Sequence, residues 1–115
     1  MLTRLTNHPD IGKAKLQNLK TIYYGGGPTY LADLKKAVRI FGPRLFQLYG
    51  QGETPMTATG LKKSMHWNED WLATCGVPRS GVAVRVVDGD DRDIAPGEIG
   101  EVLTRSDCVM QGYWG

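Results

Sequence analysis

Residues 21–50 read TIYYGGGPTYLADLKKAVRIFGPRLFQLYG, and this stretch decides the fold. Residues 21–24 are β-branched and aromatic, which is typical of a strand, and the glycines and proline at 25–28 end it. Residues 45–49 form a second short apolar run that is closed by Gly50. The sequence therefore predicts two strands, at 21–24 and 45–49, that are connected by an intervening segment.

That segment has the pattern of an amphipathic helix of about 13 residues. Thr29 is the predicted N-cap, and Gly42 followed by proline supplies the C-terminal stop. Four apolar residues at spacings of three, four and three share one face: Leu31, Leu34, Val38 and Phe41. A strand, a helix and a strand in this order predict parallel pairing through a right-handed crossover, and hence an α/β fold.

The flanking regions are less regular. Residues 2–20 suggest a short helix that is broken near Pro9, and residues 51–75 are polar and irregular, with Trp67 and Trp71 as predicted packing anchors. Further on, residues 82–87 alternate in the period of a half-buried strand. Turns at 88–93 and 95–97 follow, and residues 99–104 are the last predicted strand. We expect a partial α/β sheet layer over 1–75 and antiparallel strands of a partial β-barrel-like layer over 76–115.

Composition limits the classes of function. The 115 residues include 14 basic and 12 acidic side chains, which are scattered, so no nucleic-acid surface is predicted. No apolar run is long enough to span a membrane, and we expect a cytoplasmic protein in which Cys75 and Cys108 are reduced thiols. The two histidines are isolated from the cysteines, and the acidic turn at 88–93 lacks the spacing of a calcium loop, so neither metal site is predicted.

Two loops are candidate ligand sites. Residues 25–29, GGGPT, join the first strand to the helix and would let a ligand lie against the backbone near the helix N-terminus, although a tight turn is the alternative. They match neither a P-loop nor a dinucleotide fingerprint. Residues 49–55, YGQGETP, leave the carboxyl end of the second strand, where open parallel sheets bind ligands. Because the two strands are adjacent, we expect both loops to face one crevice.

Five motifs occur in order at 24–28, 47–54, 76–82, 97–101 and 112–114: YGGGP, QLYGQGET, GVPRSGV, GEIGE and GYW. Together they resemble the adenylate-forming superfamily of acyl-CoA synthetases, luciferases and peptide-synthetase adenylation domains, over nearly the whole chain from about residue 19. The resemblance implies part of the large domain of a ligase. Such a ligase joins a carboxylic acid to ATP, with Mg²⁺, as an acyl-adenylate, and then transfers the acyl group to coenzyme A.

The resemblance also implies roles for residues of the two loops. Gly26, Gly27 and Pro28 match a wall around adenine and the acyl group, Tyr49 matches an aromatic ring stacked on adenine, and Gln47 lies near the adenine amino group. Glu53 matches the catalytic carboxylate that holds the magnesium ion. The remaining predicted nucleotide-binding residues are Gly50, Gly52 and Thr54.

The chain departs from the family pattern in two respects. Gly52 stands where Thr or Ser is usual, which removes a hydroxyl near the phosphate, and Thr54 or a water could replace it. The phosphate loop, the ribose-binding Asp and the catalytic Lys of the family fall outside the chain. We therefore expect a fragment that is inactive alone and self-associates through exposed sheet edges. A fatty-acyl-CoA ligase is the favoured parent, while four alternatives remain open: a peptide-synthetase domain, an aryl-CoA ligase, a stand-alone nucleotide-binding module and a purely structural fragment.

Overall fold

The structure is a computed structural model that describes residues 1–56 and 58–115. Its helices are α1 (Leu2–Thr6), α2 (Leu31–Phe41) and α3 (Glu69–Leu72), with short 3-10 helices at Ile11–Lys13 and Lys63–Trp67. Its strands are β1 (Ile22–Gly25), β2 (Leu45–Tyr49), β3 (Thr59–Leu61), β4 (Val77–Pro78), β5 (Ala83–Val87) and β6 (Glu101–Arg105).

The predicted strand–helix–strand unit is confirmed. β1 and β2 pair in parallel, with Ile22 opposite Leu45 and Gly25 opposite Leu48, and α2 connects them. The two strands therefore end at the same edge of the sheet, which fixes where the loops that follow them meet.

The sheet is larger than the sequence predicted, since its strand order is β1-β2-β3-β4 and the last two pairings are antiparallel. The prediction that residues 51–75 are irregular is wrong at β3 and at the short helices after it. β3 is only three residues long, and Thr59, Gly60 and Leu61 are all buried, so it has no alternating pattern that could identify it. β4 places the start of the 76–115 segment in the first sheet.

The core lies between α2 and the sheet. Leu34, Val38 and Phe41 are buried, as predicted, together with Ala37. Leu31 is 41% exposed, contrary to the prediction, because it lies in the first turn of α2, outside the core. The helix is fixed over the sheet because two of its turns are buried against Leu45 and Leu72.

Of the two predicted ends of α2, the N-terminal one is wrong and the C-terminal one is confirmed. The assignment of Thr29 as N-cap is wrong, because the backbone stays extended through Tyr30, which is the N-cap and makes no side-chain capping hydrogen bond. Gly42 ends the helix as predicted, and its N–H donates to the carbonyl of Val38 at 2.9 Å. The loop after β1 is therefore one residue longer than predicted, and residues 26–29 of this loop line the site described below.

The second sheet is an antiparallel hairpin of β5 and β6, in which Val86 pairs with Val102. The predicted alternation over 82–87 does not hold along β5, since Val86 is 39% exposed and the adjacent Val87 is fully buried. A hairpin that exposes part of both faces does not show the strict alternation of a strand packed on one side. β6 begins at Glu101 rather than at Ile99, which is fully exposed.

The remaining predictions are mixed. α1 ends at Thr6, before the predicted break near Pro9. Trp67 is not a packing anchor, since it is 61% exposed, while Trp71 is half-buried. Both cysteines are exposed free thiols. Among the helices within the described ranges, none combines the length and the apolar character needed to cross a membrane.

Candidate functional site

A cleft of about 490 Å³ lies at the carboxyl edge of β1 and β2. Gly26 and Gly27, which follow β1, line it together with Tyr49 and Gly50 at the end of β2. The two glycine-bearing loops therefore face one crevice, which is the arrangement that parallel pairing of their strands requires.

Six of the predicted site residues line this cleft: Gly26, Gly27, Pro28, Gln47, Tyr49 and Gly50. Gln47 and Tyr49 alternate with Leu48 along β2, so their side chains lie on one face of the strand, the face that Leu45 buries against α2. Among the described residues that line the cleft, none carries a charge. An aromatic ring, an amide and uncharged walls suit a flat, neutral, hydrogen-bonding ring system.

Gln47 has an unsatisfied polar atom. Its Oε1 is buried and has no hydrogen-bond partner among the described residues. A buried acceptor without a donor costs about 1 to 3 kcal/mol. A ligand that brings an N–H group into the cleft would remove this cost, and the exocyclic amino group of adenine is such a donor.

Gly50 lets the loop after β2 fold back tightly. A β-carbon at this position would overlap the backbone of Thr54 and Met56, so only glycine fits. The turn is closed by a reciprocal pair of backbone hydrogen bonds between Gln51 and Thr54, at 3.2 and 3.3 Å. This turn places Glu53 beyond the rim of the cleft.

The other three predicted residues do not line the cleft. Gly52 is exposed and open to solvent, and the side chain of Thr54 is buried, at 4% exposure. The Glu53 carboxylate accepts a hydrogen bond from the Tyr113 hydroxyl, and the Glu53 carbonyl accepts one from the backbone N–H of Met110 at 2.8 Å. The Tyr113 contact holds the pKa of the Glu53 carboxyl below its ordinary value, so the carboxylate is ionised near neutral pH.

The chemistry of Glu53 is compatible with a magnesium ion. The described ranges hold no group of three or more His, Cys, Asp or Glu side chains that could form a metal site. Magnesium in nucleotide sites is commonly held by one or two carboxylates together with the phosphates of the substrate, so a single ionised carboxylate next to the cleft fits that use.

Sequence reasoning missed part of the cleft. Residues 72–75 at the end of α3 form its far wall, and nothing in their sequence marks them as a binding segment. Tyr24 belongs to the motif at 24–28, for which the sequence predicts no ligand contact at this residue, and it lines the cleft from the end of β1.

A second cleft of about 600 Å³ lies on the other side of the glycine loop. It shares Tyr24, residues 26–29 and Leu48 with the first cleft, and its further lining includes Leu2, Leu5, Ile22 and Met56. Asp33 is also among its lining residues and accepts a hydrogen bond from Thr3 at 3.1 Å. The glycine loop therefore borders both clefts, and each of them is lined mainly by apolar surface.

The sequence and the fold both match known proteins. The family model described as AMP-binding enzyme matches residues 1–114. The medium/long-chain-fatty-acid–CoA ligase FadD8 of Mycobacterium tuberculosis is 38% identical over 114 residues, which cover 99% of this chain and 20% of that protein. The chain spans about a fifth of the length of the curated relatives it matches.

Solved structures give the same fold. The amide bond synthetase McbA from Marinactinospora thermotolerans is similar with a TM-score of 0.89 and 29% identity, over 98% of this chain and 23% of that one. The o-succinylbenzoate coenzyme A synthetase MenE from Bacillus subtilis, solved in complex with AMP, is similar with a TM-score of 0.74 and 26% identity. That match covers 90% of this chain and 21% of MenE.

Proposed function

This chain belongs to the AMP-binding enzyme family, and we propose that its uncharged cleft holds the adenine of ATP in a ligase that activates carboxylic acids. The observation that carries the proposal is that Gln47, whose buried Oε1 has no hydrogen-bond partner among the described residues, lines the same cleft as Tyr49. Adenine supplies both an amino donor for this oxygen and a flat ring for the phenol to stack on.

The reaction we propose has two steps. A substrate carboxylate attacks the α-phosphorus of ATP, an oxygen–phosphorus bond forms, and the bond to pyrophosphate breaks to give an acyl-adenylate. The thiolate of coenzyme A then attacks the acyl carbon, and AMP leaves with the electron pair of the broken carbon–oxygen bond. The residues of the cleft bind and orient the adenylate throughout, since the adenine stays in place in both steps.

Glu53 would hold a magnesium ion against the phosphates. The metal would neutralise charge on the departing pyrophosphate. Gly52 offers no hydroxyl to that region, so the contribution of this loop to phosphate binding rests on Glu53 and on the backbone N–H of Gly52, since the N–H groups of Gln51 and Thr54 close the turn.

The finer proposal is that the acid is a fatty acid. The cleft on the other side of the glycine loop is lined by Leu2, Leu5, Ile22 and Met56, which suit an alkyl chain. FadD8, which is named for medium- and long-chain fatty acids, is also 38% identical to the chain. Coenzyme A as acceptor is proposed on the same similarity.

The nucleotide proposal is tested by calorimetric titration of the 115-residue chain with AMP. We expect saturable binding that Tyr49→Leu weakens by about tenfold or more, since stacking of a base on an aromatic ring contributes about 1 to 3 kcal/mol. Phe46→Leu is the matched control, because Phe46 lies on the opposite face of β2 and packs against Tyr23 at a ring-centroid distance of 5.6 Å. An absence of binding, or equal weakening by both variants, would refute the proposal.

The fatty-acid proposal needs a different probe. Two acyl-sulfamoyl adenosines, which imitate the acyl-adenylate, are compared: one carries an acetyl chain and the other a decanoyl chain. Each buried methylene contributes about 0.8 kcal/mol, or about fourfold in affinity, so the decanoyl compound is expected to bind much more tightly. Leu5→Gln should reduce this preference, and equal affinity for both compounds would remove the assignment to fatty acids without touching the nucleotide site.

We further propose that 1–75 and 76–115 act as two layers of one larger domain and that the chain self-associates through its open sheet edges. β1 and β4 are the edge strands of the four-stranded sheet, and unpaired edges favour pairing between copies. Light scattering over a range of concentrations tests this, and a constant monomer mass would contradict self-association.

A further inference from the structure

The GYW motif at 112–114 has no part in the reaction proposed above, although its tyrosine lies against the loop after β2. The Tyr113 hydroxyl donates a hydrogen bond to Oε1 of Glu53, which lies 60 residues earlier in the chain. The carboxylate that we propose as the metal ligand is therefore in contact with a segment outside the two strands whose loops form the uncharged cleft.

A second contact fixes the backbone of the same residue. The N–H of Met110 donates to the carbonyl of Glu53 at 2.8 Å. Met110 follows a turn in which the N–H of Val109 donates to the carbonyl of Ser106 at 3.2 Å, and both Val109 and Met110 are half-buried. Residues 110 and 113 thus hold the main chain and the side chain of Glu53 through separate hydrogen bonds.

The direction of the Tyr113 hydrogen bond follows from the charges of the two groups. An ionised carboxylate can only accept, so the phenol hydroxyl is the donor. The contact raises the pKa of the Tyr113 hydroxyl, which keeps it protonated, and lowers the pKa of the Glu53 carboxyl, which keeps it ionised. A carboxylate has about four acceptor positions on its two oxygens, so Oε1 can accept from Tyr113 while the group also binds a cation.

The loop itself leaves the Glu53 side chain room to move. Its turn is closed by backbone hydrogen bonds between Gln51 and Thr54, which fix the main chain but not the carboxylate. The preceding residue, Gly52, is exposed and has open space where a β-carbon would lie. Ordering the rotatable bonds of a glutamate side chain when a ligand binds costs conformational entropy. A hydrogen bond that already holds the carboxylate reduces this cost.

We propose that Tyr113 is a positioning residue for Glu53, and that its hydroxyl holds the carboxylate in the orientation in which it binds the metal on the phosphates of ATP. This rests on the proposed function, because it takes Glu53 to be the magnesium ligand. Without the hydroxyl, the carboxylate samples several orientations, and the affinity for the metal–nucleotide complex falls. AMP does not depend on the contact, because it lacks the β- and γ-phosphates that the metal bridges.

The test is calorimetric titration of the 115-residue chain with ATP and Mg²⁺, with ATP and a chelator, and with AMP. Tyr113→Phe is expected to weaken binding of ATP with Mg²⁺ about three- to tenfold, the range for one hydrogen bond, and to leave the other two affinities within about twofold. A merely structural role would weaken AMP binding as well, since Tyr49 and Gly50, which line the cleft, directly precede the turn. Trp114→Phe is the matched control, because Trp114 is the fully exposed neighbour of Tyr113, and it should change no affinity.

A double variant and a spectroscopic probe separate positioning from other effects. Tyr113→Phe combined with Glu53→Gln is expected to bind ATP with Mg²⁺ no more weakly than Glu53→Gln alone, since the hydroxyl acts only through the carboxylate. Mn²⁺ replaces Mg²⁺ for electron paramagnetic resonance, in which the signal of free Mn²⁺ gives the dissociation constant of the metal from the ATP-bound chain. We expect Tyr113→Phe to raise this constant about three- to tenfold.

The failure of this proposal differs from the failure of the metal site. Unchanged affinity of Tyr113→Phe for ATP with Mg²⁺, an equal loss for AMP, or losses that multiply in the double variant would each refute the positioning role, while Glu53→Gln still reports on the metal. If Glu53→Gln itself binds ATP with Mg²⁺ as tightly as the wild type, the metal role of Glu53 fails, and the positioning role fails with it. Neither result touches the adenine site, on which Tyr49→Leu reports through AMP.

Discussion

The Tyr113 hydroxyl donates a hydrogen bond to the carboxylate of Glu53, 60 residues earlier in the chain. A backbone contact reinforces it, since the N–H of Met110 bonds to the carbonyl of Glu53 at 2.8 Å. The segment after β6 therefore lies against the loop after β2, although the two belong to different sheets. This contact controls the ionisation and the orientation of the carboxylate proposed to hold magnesium.

Tyr113→Phe is expected to raise the pKa of Glu53 toward the ordinary carboxyl value, because the Tyr113 hydrogen bond is the largest cause of its lowering. A carboxyl whose pKa is lower in the folded state contributes stability above its unfolded pKa, and this contribution is lost as the pH falls through the folded value. The variant removes the part of that contribution that comes from the Tyr113 hydrogen bond. Carbon-13 NMR of the Glu53 carboxyl against pH measures the shift.

Tyr30→Phe is the control for this titration, because Tyr30 is also highly exposed and is not among the groups that lower the pKa of Glu53. It should leave the Glu53 curve in place. If Glu53 titrates identically in the wild type and in Tyr113→Phe, the contact does not exist in solution.

Glu53→Gln is expected to weaken binding of ATP in the presence of Mg²⁺ by about tenfold or more, and to leave AMP affinity within about twofold. The amide can still accept from Tyr113, so the loop is kept, but it lacks the charge that a hard cation prefers. Calorimetric titration with ATP, with and without Mg²⁺, and with AMP separates these effects.

Glu101→Gln removes a carboxylate from β6 and serves as the matched control. It should change neither titration. If Glu53→Gln binds ATP with Mg²⁺ as tightly as the wild type, Glu53 is not the residue that holds the metal.

The contrast between β2 and β3 shows what the sequence could predict. β2 lies within a strand–helix–strand pattern with glycine stops, and local periodicity and turn chemistry are sufficient to predict it. β3 is three residues, TGL, and it exists because β2 and β4 pair with it from both sides. Such an element depends on tertiary contacts that no local pattern contains.

The candidate site divides in the same way. Gly26, Gly27, Gln47 and Tyr49 lie next to the ends of two adjacent parallel strands, so their shared cleft follows from topology. Residues 72–75 line the cleft from an irregular region, and Leu72 among them packs in the core with residues of α2. The roles proposed for all of these residues remain predictions for the titrations described above.

Leu34→Ala and Leu31→Ala form a matched pair on α2. Leu34 is 2% exposed and packs in the core, whereas Leu31 is 41% exposed. We expect Leu34→Ala to lower the free energy of unfolding by about 2 to 5 kcal/mol, because it removes buried methyl groups and leaves a cavity. Leu31→Ala should cost about 1 kcal/mol or less. Urea denaturation followed by circular dichroism measures both, and equal losses would mean that the helix packs through a different face.

Gly76→Ala and Gly81→Ala compare two glycines with almost the same backbone conformation, with φ of +80° and +79°. Each substitution should cost about 1 to 2 kcal/mol for placing an L side chain in this region. Gly76→Ala should cost more, because its β-carbon would overlap the carbonyl of Gly60 in β3, while the space around Gly81 is open. Since Gly76 lies directly before β4, relief of the overlap would separate β4 from β3. Urea midpoints give the two costs, and amide hydrogen exchange should show reduced protection in β3 for Gly76→Ala alone. Equal costs without a change in exchange would contradict the close packing of Gly76 on β3.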